Sequence, residues 1–278
     1  MKLRRWLLFI PALLGIVFVL YRVNSGNEEV AGVGDSPVLQ ERKKEFSYLV
    51  EKMRSIPGTQ SALIKNLKTH ELYEYNTEYT YDTASLMKVF IAVSVLQHVE
   101  KGNLSLDEKL PIIEDAVEPG TGILQFEDLG SEYAVSELLE LAMKKSDNTA
   151  INMLLLKINR EYVDDFTFIQ NTSTLRKFTD FMENFYNEKY VSDSSVKYLL
   201  GLMTVTDFDD RIHTGLSEGT LFAHKIGNWP TNNSWHDCGF VLDDKNPLLV
   251  CLMSEGTEYQ DFLTVSETVG NFAAKLLQ

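Results

Sequence analysis

The sequence predicts an α/β (α+β) fold in which both ends of the globular part supply strands to one antiparallel sheet, flanked by helices and joined to a helical subdomain. Runs rich in β-branched and aromatic residues come early and late; they occupy residues 60–65, 71–75, 220–226, 235–242 and 247–253. Residues 105–215 carry mainly helical patterns, and residues 261–277 form a closing amphipathic helix. Because helices separate the two groups of strands, the two ends are expected to meet in one sheet.

The first 40 residues predict a membrane anchor followed by a linker. An unbroken apolar run stands behind three cations, which divides this region into a cytoplasmic basic end (residues 1–5) and a transmembrane signal-anchor (residues 6–23). Residues 24–40 have the composition of a linker. No convincing cleavage site follows the run, so we expect the anchor to be retained; cleavage would give a secreted protein. The domain over residues 41–278 is then extracytoplasmic.

Composition excludes a nucleic-acid partner and a disulfide scaffold. The chain has 26 Lys and Arg against 40 Asp and Glu, and its net charge of −14 repels polyphosphate. Cys238 and Cys251 are its only two cysteines. If the turn at residues 243–246 closes a symmetric hairpin, the two face each other across neighbouring strands. We expect two buried thiols rather than a strained disulfide.

Periodic segments supply the remaining elements. Residues 41–53 predict an amphipathic helix, and the polar turn Lys68-Thr69-His70 between the first two strands predicts a hairpin. Apolar residues cover nearly all faces of a helix over residues 85–99, which must therefore be central and buried. Further helices are predicted over residues 135–143, 149–158 and 175–186.

Three short motifs carry residues suited to acyl transfer. Ser85 and Lys88 stand one helical turn apart, which places a nucleophile beside a proton acceptor. Ser146-Asp147-Asn148 separates two predicted helices, and Lys225-Ile226-Gly227 ends a predicted strand. Each motif alone is common on ordinary helices and strands. Their order along the chain therefore carries the signal.

The three motifs in this order resemble those of the penicillin-recognising serine hydrolases, most closely class A β-lactamases and small D,D-peptidases. The resemblance extends to Gly-Thr-Gly-Ile-Leu-Gln at residues 120–125 and covers about residues 46 to 278. It implies the β-lactamase/transpeptidase-like fold and a covalent acyl-enzyme mechanism.

The resemblance also implies a role for each motif residue. Ser85 would be the nucleophile, Lys88 its base, and Ser146 the carrier of a proton to the leaving nitrogen. Four further residues would bind substrate, through an amide contact, a carboxylate contact and the oxyanion hole: Asn148, Lys225, Gly227 and Asn228.

Two departures from the family pattern affect turnover. Ile226 stands where the family has Thr or Ser, so a hydroxyl that would bind the substrate carboxylate is missing. Glu183 and Asn187 have the spacing of the family's Glu-x-x-x-Asn element, which activates the water that hydrolyses the acyl-enzyme. Asp180 competes with Glu183 for the role of this base. The same residues also fit a plain amphipathic helix over residues 175–186.

Two other motifs suggest different chemistry. The sequence at residues 215–219, Gly-Leu-Ser-Glu-Gly, matches the motif of a nucleophile elbow. An elbow needs a strand before it, whereas the predicted strand follows these residues, so we interpret the motif as a chance match. His236-Asp237 lacks a third ligand at suitable spacing and is interpreted as a structural pair or part of the site rim. The sequence thus predicts no metal and no cofactor.

The predicted function is a monomeric, membrane-anchored class A β-lactamase-like serine hydrolase acting on β-lactams through Ser85. A first alternative is a penicillin-binding D,D-carboxypeptidase or transpeptidase that acts on D-alanyl peptides of peptidoglycan. A second is an inactive membrane-tethered binding module, which would leave the retention of five reactive positions unexplained.

Overall fold

The computed structural model describes residues 28–31, 36–158 and 171–278. The predicted basic end and signal-anchor lie outside the described residues, as does part of the predicted linker. Among the helices of the described ranges, none is both long enough and apolar enough to span a membrane.

Over the described residues, ten strands form one large sheet and two small ones. In chain order they are β1 (Glu28–Ala31), β2 (Thr59–Asn66), β3 (Leu72–Tyr75), β4 (Thr80–Asp82), β5 (Lys109–Pro111), β6 (Glu132–Ala134), β7 (Thr172–Thr174), β8 (Phe222–Trp229), β9 (Ser234–Val241) and β10 (Leu248–Glu255). The large sheet is antiparallel with the order β1-β3-β2-β10-β9-β8, while β4 pairs with β7 and β5 with β6. Because β2 lies beside β10, the predicted sheet from both chain ends is confirmed.

Seven helices of the described ranges pack against the large sheet or form the helical subdomain. They are α1 (Pro37–Ser55), α2 (Met87–Glu100), α3 (Val135–Lys144), α4 (Asn148–Ile158), α5 (Leu175–Tyr186), α6 (Asp193–Met203) and α7 (Tyr259–Leu276). α1 begins four residues before the predicted start because the Ser36 side chain accepts the Leu39 N–H and Pro37 occupies the first turn.

Strand β10, in the middle of the large sheet, is buried on both faces. Along β10, Leu248, Val250 and Leu252 belong to the core shared with α1 and α7. The alternate residues Leu249 and Cys251 belong to the core shared with the helical subdomain. Side chains that alternate between two buried faces explain why this strand reads as an unbroken apolar run.

Helix α2 forms the centre of the helical subdomain, as predicted. Every residue from Lys88 to Leu96 is buried. Phe90 contacts Phe178 of α5 with ring centroids 5.3 Å apart, in an edge-to-face arrangement. Lys88 is the only charged side chain in this buried run of α2.

The β9–β10 hairpin has the predicted register. Cys238 lies opposite Cys251, and both are buried free thiols. The Asp243 carboxylate caps the turn by accepting the N–H groups of Lys245 and Asn246. This cap holds the turn that sets the strand pairing.

The elbow-like sequence at residues 215–219 does not form a nucleophile elbow. It lies between a 3-10 turn (Ile212–Gly215) and β8, so no strand leads into Ser217. Gly215 serves packing instead: a Cβ there would lie 2.0 Å from the Glu267 carbonyl oxygen of α7.

Candidate active site

Ser85 lies on a 3-10 turn (Ala84–Leu86) immediately before α2. The helix proper begins at Met87, two residues later than predicted. Ala84 has a left-handed φ of 46°, which costs a non-glycine residue roughly 1–2 kcal/mol. Its N–H is held by the Asp82 carboxylate at 2.8 Å, and Thr83 is tied to the Asn171 carbonyl. A strained but well-anchored turn thus presents the serine.

Lys88 brings the first two motifs together. Its side chain is 3% exposed, and its Nζ lies 3.0 Å from Ser85 Oγ. The same nitrogen contacts the Ser146 carbonyl at 2.5 Å, Ser146 Oγ at 3.1 Å and Asn148 Oδ1 at 2.7 Å. The sequence predicted the Ser85–Lys88 contact from their spacing, but the contacts to Ser146 and Asn148 depend on the packing of α2 against α4.

The protons of Lys88 are fixed by these partners. The Ser146 carbonyl accepts only, and Asn148 must direct its oxygen at Lys88 because its Nδ2 donates to the Pro119 carbonyl at 3.1 Å. These two acceptors take both N–H groups of a neutral amine, so its lone pair is left for a hydroxyl, that of Ser85 at 3.0 Å or that of Ser146 at 3.1 Å. Burial lowers the pKa of Lys88 to about 7, against the opposing charges of Asp147 and Glu118. An amine that is partly neutral near pH 7 is suited to general-base work.

Ser146 lies between two lysines. It is buried, has a left-handed φ of 52°, and its Oγ is 3.1 Å from Lys88 Nζ and 2.9 Å from Lys225 Nζ. Thr121 Oγ1 donates to the Ser146 carbonyl at 2.7 Å and helps to hold the turn. A hydroxyl with a lysine amine on either side can pass a proton from one group to another.

Asp147 fixes the loop beside the site. Its Oδ2 accepts the N–H groups of Ile123 and Leu124, and its Oδ1 accepts the N–H of Ala150 at the start of α4. A Cβ at Gly122 would lie 2.2 Å from the Asp147 carboxyl carbon. Glycine is therefore required where this loop passes over the aspartate.

Lys225 is a buried cation without a carboxylate partner among the described residues. It is 1% exposed, and its Nζ donates to Ser146 Oγ at 2.9 Å and to the Ile226 carbonyl at 3.2 Å. Burial, with the neighbouring charges of Lys88 and Arg211, drives the pKa of Lys225 well below its usual range. A carboxylate arriving here would supply the missing opposite charge.

Gly227 and Asn228 occupy the edge of the large sheet next to Ser85. A Cβ at Gly227 would lie 3.0 Å from the Thr83 carbonyl oxygen and 3.3 Å from the Ala84 Cβ. Because β8 is the last strand of the sheet, its outer edge adjoins the 3-10 turn that carries the serine. Asn228 is half-buried, and its Oδ1 accepts from Arg211 Nη2 at 2.5 Å.

Arg211 is a site residue that the sequence analysis missed. It is 1% exposed, donates to the His236 carbonyl at 2.6 Å and to Asn228 Oδ1, and lies 3.4 Å from the Gly227 carbonyl. Arg211 therefore fixes the end of β8 that carries Gly227 and Asn228. No local pattern around residue 211 indicated this role, because its partners come from two distant strands.

His236 acts as a structural residue, which agrees with the interpretation from sequence. Its Nε2 donates to the Asp82 carbonyl at 2.7 Å, and its Nδ1 accepts the Ser254 N–H at 3.3 Å. Burial lowers the pKa of His236 to about 4, so the ring is neutral at pH 7. It supports the segment that leads into the 3-10 turn of Ser85.

Glu183 and Asp180 lie on α5, on the amphipathic helix predicted over residues 175–186. Both carboxylate oxygens of Glu183 accept from Lys65 Nζ, at 2.7 and 2.8 Å. Asp180 is exposed, and the backbone N–H of Asn187 caps the helix end. In the described part of the chain, neither acid hydrogen-bonds to Ser85, so the assignment of the deacylation base stays a prediction.

Comparison with known proteins relates this arrangement to one family. The model of the family described as "Beta-lactamase enzyme family" matches residues 41–278. Beta-lactamase VEB-1 of Pseudomonas aeruginosa is 26% identical over 246 residues, which cover 77% of this chain and 82% of VEB-1.

Solved structures show the same fold. PBP-A aligns with a TM-score of 0.77 and 22% identity over 84% of this chain and 96% of PBP-A, and a mutant of it was solved as an acyl-enzyme complex with penicillin G. A beta-lactamase from Chitinophaga pinensis aligns with a TM-score of 0.76 and 20% identity, over 84% of this chain and 100% of its own. The fold is thus β-lactamase/transpeptidase-like, as the motif resemblance implied. Because the family match spans the whole region that builds the Ser85–Lys88–Ser146 arrangement, the chain belongs to the β-lactamase enzyme family, as a class A β-lactamase-like serine hydrolase.

Proposed function

We propose that this protein is a serine β-lactamase, which hydrolyses β-lactams through an acyl-enzyme on Ser85. The observation that carries the proposal is the buried Lys88 amine, whose pKa is about 7 and whose two acceptor-only partners leave its lone pair free for a hydroxyl, with Ser85 Oγ 3.0 Å away. The similarity to Beta-lactamase VEB-1 supports β-lactams as the substrate class.

Acylation proceeds through three neighbouring groups. Ser85 Oγ attacks the lactam carbonyl carbon while its proton passes to Lys88 Nζ, 3.0 Å away. The carbonyl–nitrogen bond of the ring then breaks as Ser146 Oγ delivers a proton to the nitrogen. Lys88 returns the first proton to Ser146 across 3.1 Å. The Ser85 proton has in effect moved to the leaving nitrogen, and Lys88 is neutral again.

Lys225 binds the carboxylate of the β-lactam. The cation is buried, and its only partners among the described residues are neutral oxygens. Pairing with an anion relieves the cost of burying that charge. The apolar side chain of Ile226, which is 2% exposed, supplies no hydroxyl for the same carboxylate. We therefore expect this contact to depend on Lys225 more than on its neighbour.

Deacylation needs a base that activates water, and we propose Glu183 for this role with Asp180 as its competitor. The Glu183 carboxylate has the more defined position of the two, because Lys65 Nζ donates to both of its oxygens. Glu183→Gln and Asp180→Asn separate the candidates: only the true base should slow the loss of the acyl group while sparing its formation. If neither variant slows that step, the base is neither of these residues.

Intact-mass spectrometry of the full chain through a time course with a penicillin tests the proposal. We expect a mass increase at Ser85 that decays as hydrolysed drug is released, and no increase for Ser85→Ala. Labelling of the Ser85→Ala protein would refute Ser85 as the nucleophile. An absence of any adduct on the wild-type chain would instead support an inactive binding module.

A penicillin-binding D,D-peptidase is the second candidate. One observation supports it: the fold aligns with that of PBP-A. A peptidase would acylate with penicillin but hold the adduct, so persistence of the mass increase distinguishes it from a β-lactamase. Release of D-alanine from a D-alanyl-D-alanine peptide would support it directly.

We further propose that residues 6–23 anchor the protein in the cell membrane, with the catalytic domain extracytoplasmic and monomeric. The apolar run behind three cations supports this placement. Fractionation and protease treatment of intact cells or spheroplasts test it. The anchored chain should sediment with membranes and be digested from outside, whereas recovery of a shortened chain from the medium would indicate cleavage and secretion.

A further inference from the structure

A cluster of Asp209, His213 and His224 runs from the surface to the core behind β8. His224 is on β8 and fully buried, His213 is on the 3-10 turn (Ile212–Gly215) with its side chain 31% exposed, and the Asp209 side chain is 55% exposed. Among the described residues, none of the three hydrogen-bonds to Ser85, Lys88 or Ser146. We call this group the Asp209–His213–His224 cluster.

The ligand atoms of the cluster converge on one point. Asp209 Oδ1 lies 2.7 Å from His213 Nδ1 and 3.2 Å from His224 Nε2, and all three atoms lie within 4.8 Å of one another. Two imidazole nitrogens and one carboxylate are a donor set that Zn²⁺ and related divalent transition metals accept. In a tetrahedral site such atoms lie about 3.3 Å apart, and the two distances from Asp209 Oδ1, 2.7 and 3.2 Å, are close to this value.

The outer nitrogen of each histidine already has an acceptor. His224 Nδ1 lies 2.7 Å from the buried Asp237 carboxylate, whose second oxygen accepts the Ile212 N–H at 3.1 Å. His213 Nε2 lies 3.3 Å from the Thr220 carbonyl. Acceptors at the outer nitrogens place a proton there, which leaves the inner nitrogens to face Asp209. Metal-binding histidines are usually oriented in this way, by a carboxylate or a backbone carbonyl behind the ring.

The local charge also accommodates a divalent ion. Two inner nitrogens face one carboxylate oxygen, so each must carry a proton or share a cation with Asp209. Two protons or one divalent cation would each add two positive charges. Asp209 and Asp237 together supply the two negative charges that balance them. The half-exposed Asp209 gives an ion a way in from solvent.

We propose that the Asp209–His213–His224 cluster is a binding site for one divalent transition-metal ion, Zn²⁺ in the first instance, with the fourth position left to water. A bound ion would join the loop at residue 209 and the 3-10 turn to β8, next to Lys225. Arg211, which holds Asn228, lies in the segment between the ligands Asp209 and His213. The ion would therefore stabilise the back of the active site without contacting substrate.

Titration of the metal-free, untagged full chain with Co²⁺ and then Zn²⁺ tests the proposal. We expect saturable binding of one ion per chain, a visible Co²⁺ ligand-field band that Zn²⁺ abolishes, and a melting temperature that rises with Zn²⁺. Asp209→Asn and His213→Gln should each weaken the affinity by at least about tenfold, since each removes a ligand. Both residues are partly exposed, so melting curves without metal will show that the variants remain folded.

His70→Asn is the matched control. His70 is exposed on the β2–β3 turn with a φ of 62°, a conformation that asparagine tolerates. This variant should bind Co²⁺ as the wild type does. Absence of one-to-one binding, or equal affinity in Asp209→Asn, His213→Gln and the wild type, would overturn the proposal and show that protons alone hold the cluster.

Discussion

The pH dependence of acylation should follow the protonation of Lys88. Only the neutral amine can accept the Ser85 proton, and burial places the pKa of this lysine at about 7. The acylation rate should therefore rise about tenfold per pH unit below about pH 7 and level off above it. Stopped-flow acylation with a chromogenic β-lactam, measured from about pH 5 to 9, gives this profile directly.

Two variants isolate the amine. Lys88→Arg keeps a positive charge that never dissociates, so it should lose about 10²- to 10⁴-fold in acylation rate at every pH. Lys88→Met removes both charge and base while keeping an unbranched chain in the same buried space. It should lose acylation to a similar extent, and its residual rate should show no rise near pH 7.

Stability supplies an independent check on the same pKa. A lysine whose pKa is lower in the folded state than in the unfolded state makes folding release protons, so it destabilises the folded protein. This cost is fully present below about pH 7 and disappears as pH rises through the unfolded value of 10.5. Lys88→Met removes the cost. Its stability relative to the wild type should therefore fall by about 3 kcal/mol between about pH 6 and 9.

The hydrogen bonds lost in Lys88→Met do not disturb this comparison. The Ser146 carbonyl and Asn148 Oδ1 lose a donor at both pH values, so that penalty cancels in the difference. Denaturant unfolding of the two proteins at each pH measures it. A stability difference that does not change with pH, together with an acid limb retained in Lys88→Met, would refute the perturbed amine as the base.

Three further predictions follow from single contacts. Lys225→Ala should lower kcat/KM for carboxylate-bearing β-lactams by about tenfold to a hundredfold, chiefly through KM, since it removes a charged hydrogen bond; an ester of the same drug should be far less affected. Gly122→Ala should destabilise far more than Gly130→Ala in thermal melting, because both glycines have positive φ but only the first Cβ collides, 2.2 Å from Asp147; equal losses would refute the steric argument. Cys238 and Cys251 should both react with a thiol reagent after unfolding and not before, whereas unreactive unfolded protein would indicate a disulfide.

Long periodic elements of the fold could be predicted from the sequence. The amphipathic helix over residues 175–186 has the predicted bounds, and the Cys238–Cys251 register followed from the length of one turn. Both depend on local spacing alone. The linker prediction over residues 24–40 did not anticipate β1 (Glu28–Ala31), because its partner β3 lies more than 40 residues away.

The site was predictable only as far as its motifs are local. Ser85 and Lys88 are one turn apart in sequence and in space, so spacing predicted their contact. Arg211 holds β8 through oxygens of Gly227, Asn228 and His236, and sequence periodicity carries no sign of such contacts. The Asp209–His213–His224 cluster was missed for the same reason, because β8 brings His224 to the other two.

Several active-site residues depart from the usual preferences for backbone conformation and for burial. Ala84 and Ser146 take left-handed φ values without being glycine, and Lys88 and Lys225 are buried with no carboxylate of the described residues in hydrogen-bond contact. Each feature costs free energy, and each is held by neighbours on other elements, such as the carboxylate of Asp82. A substrate with a carboxylate and an electrophilic carbonyl supplies an anion for Lys225. It also supplies an acylation target for Ser85, whose proton Lys88 accepts. The destabilised resting site is therefore complementary to an anionic acylating substrate rather than to solvent.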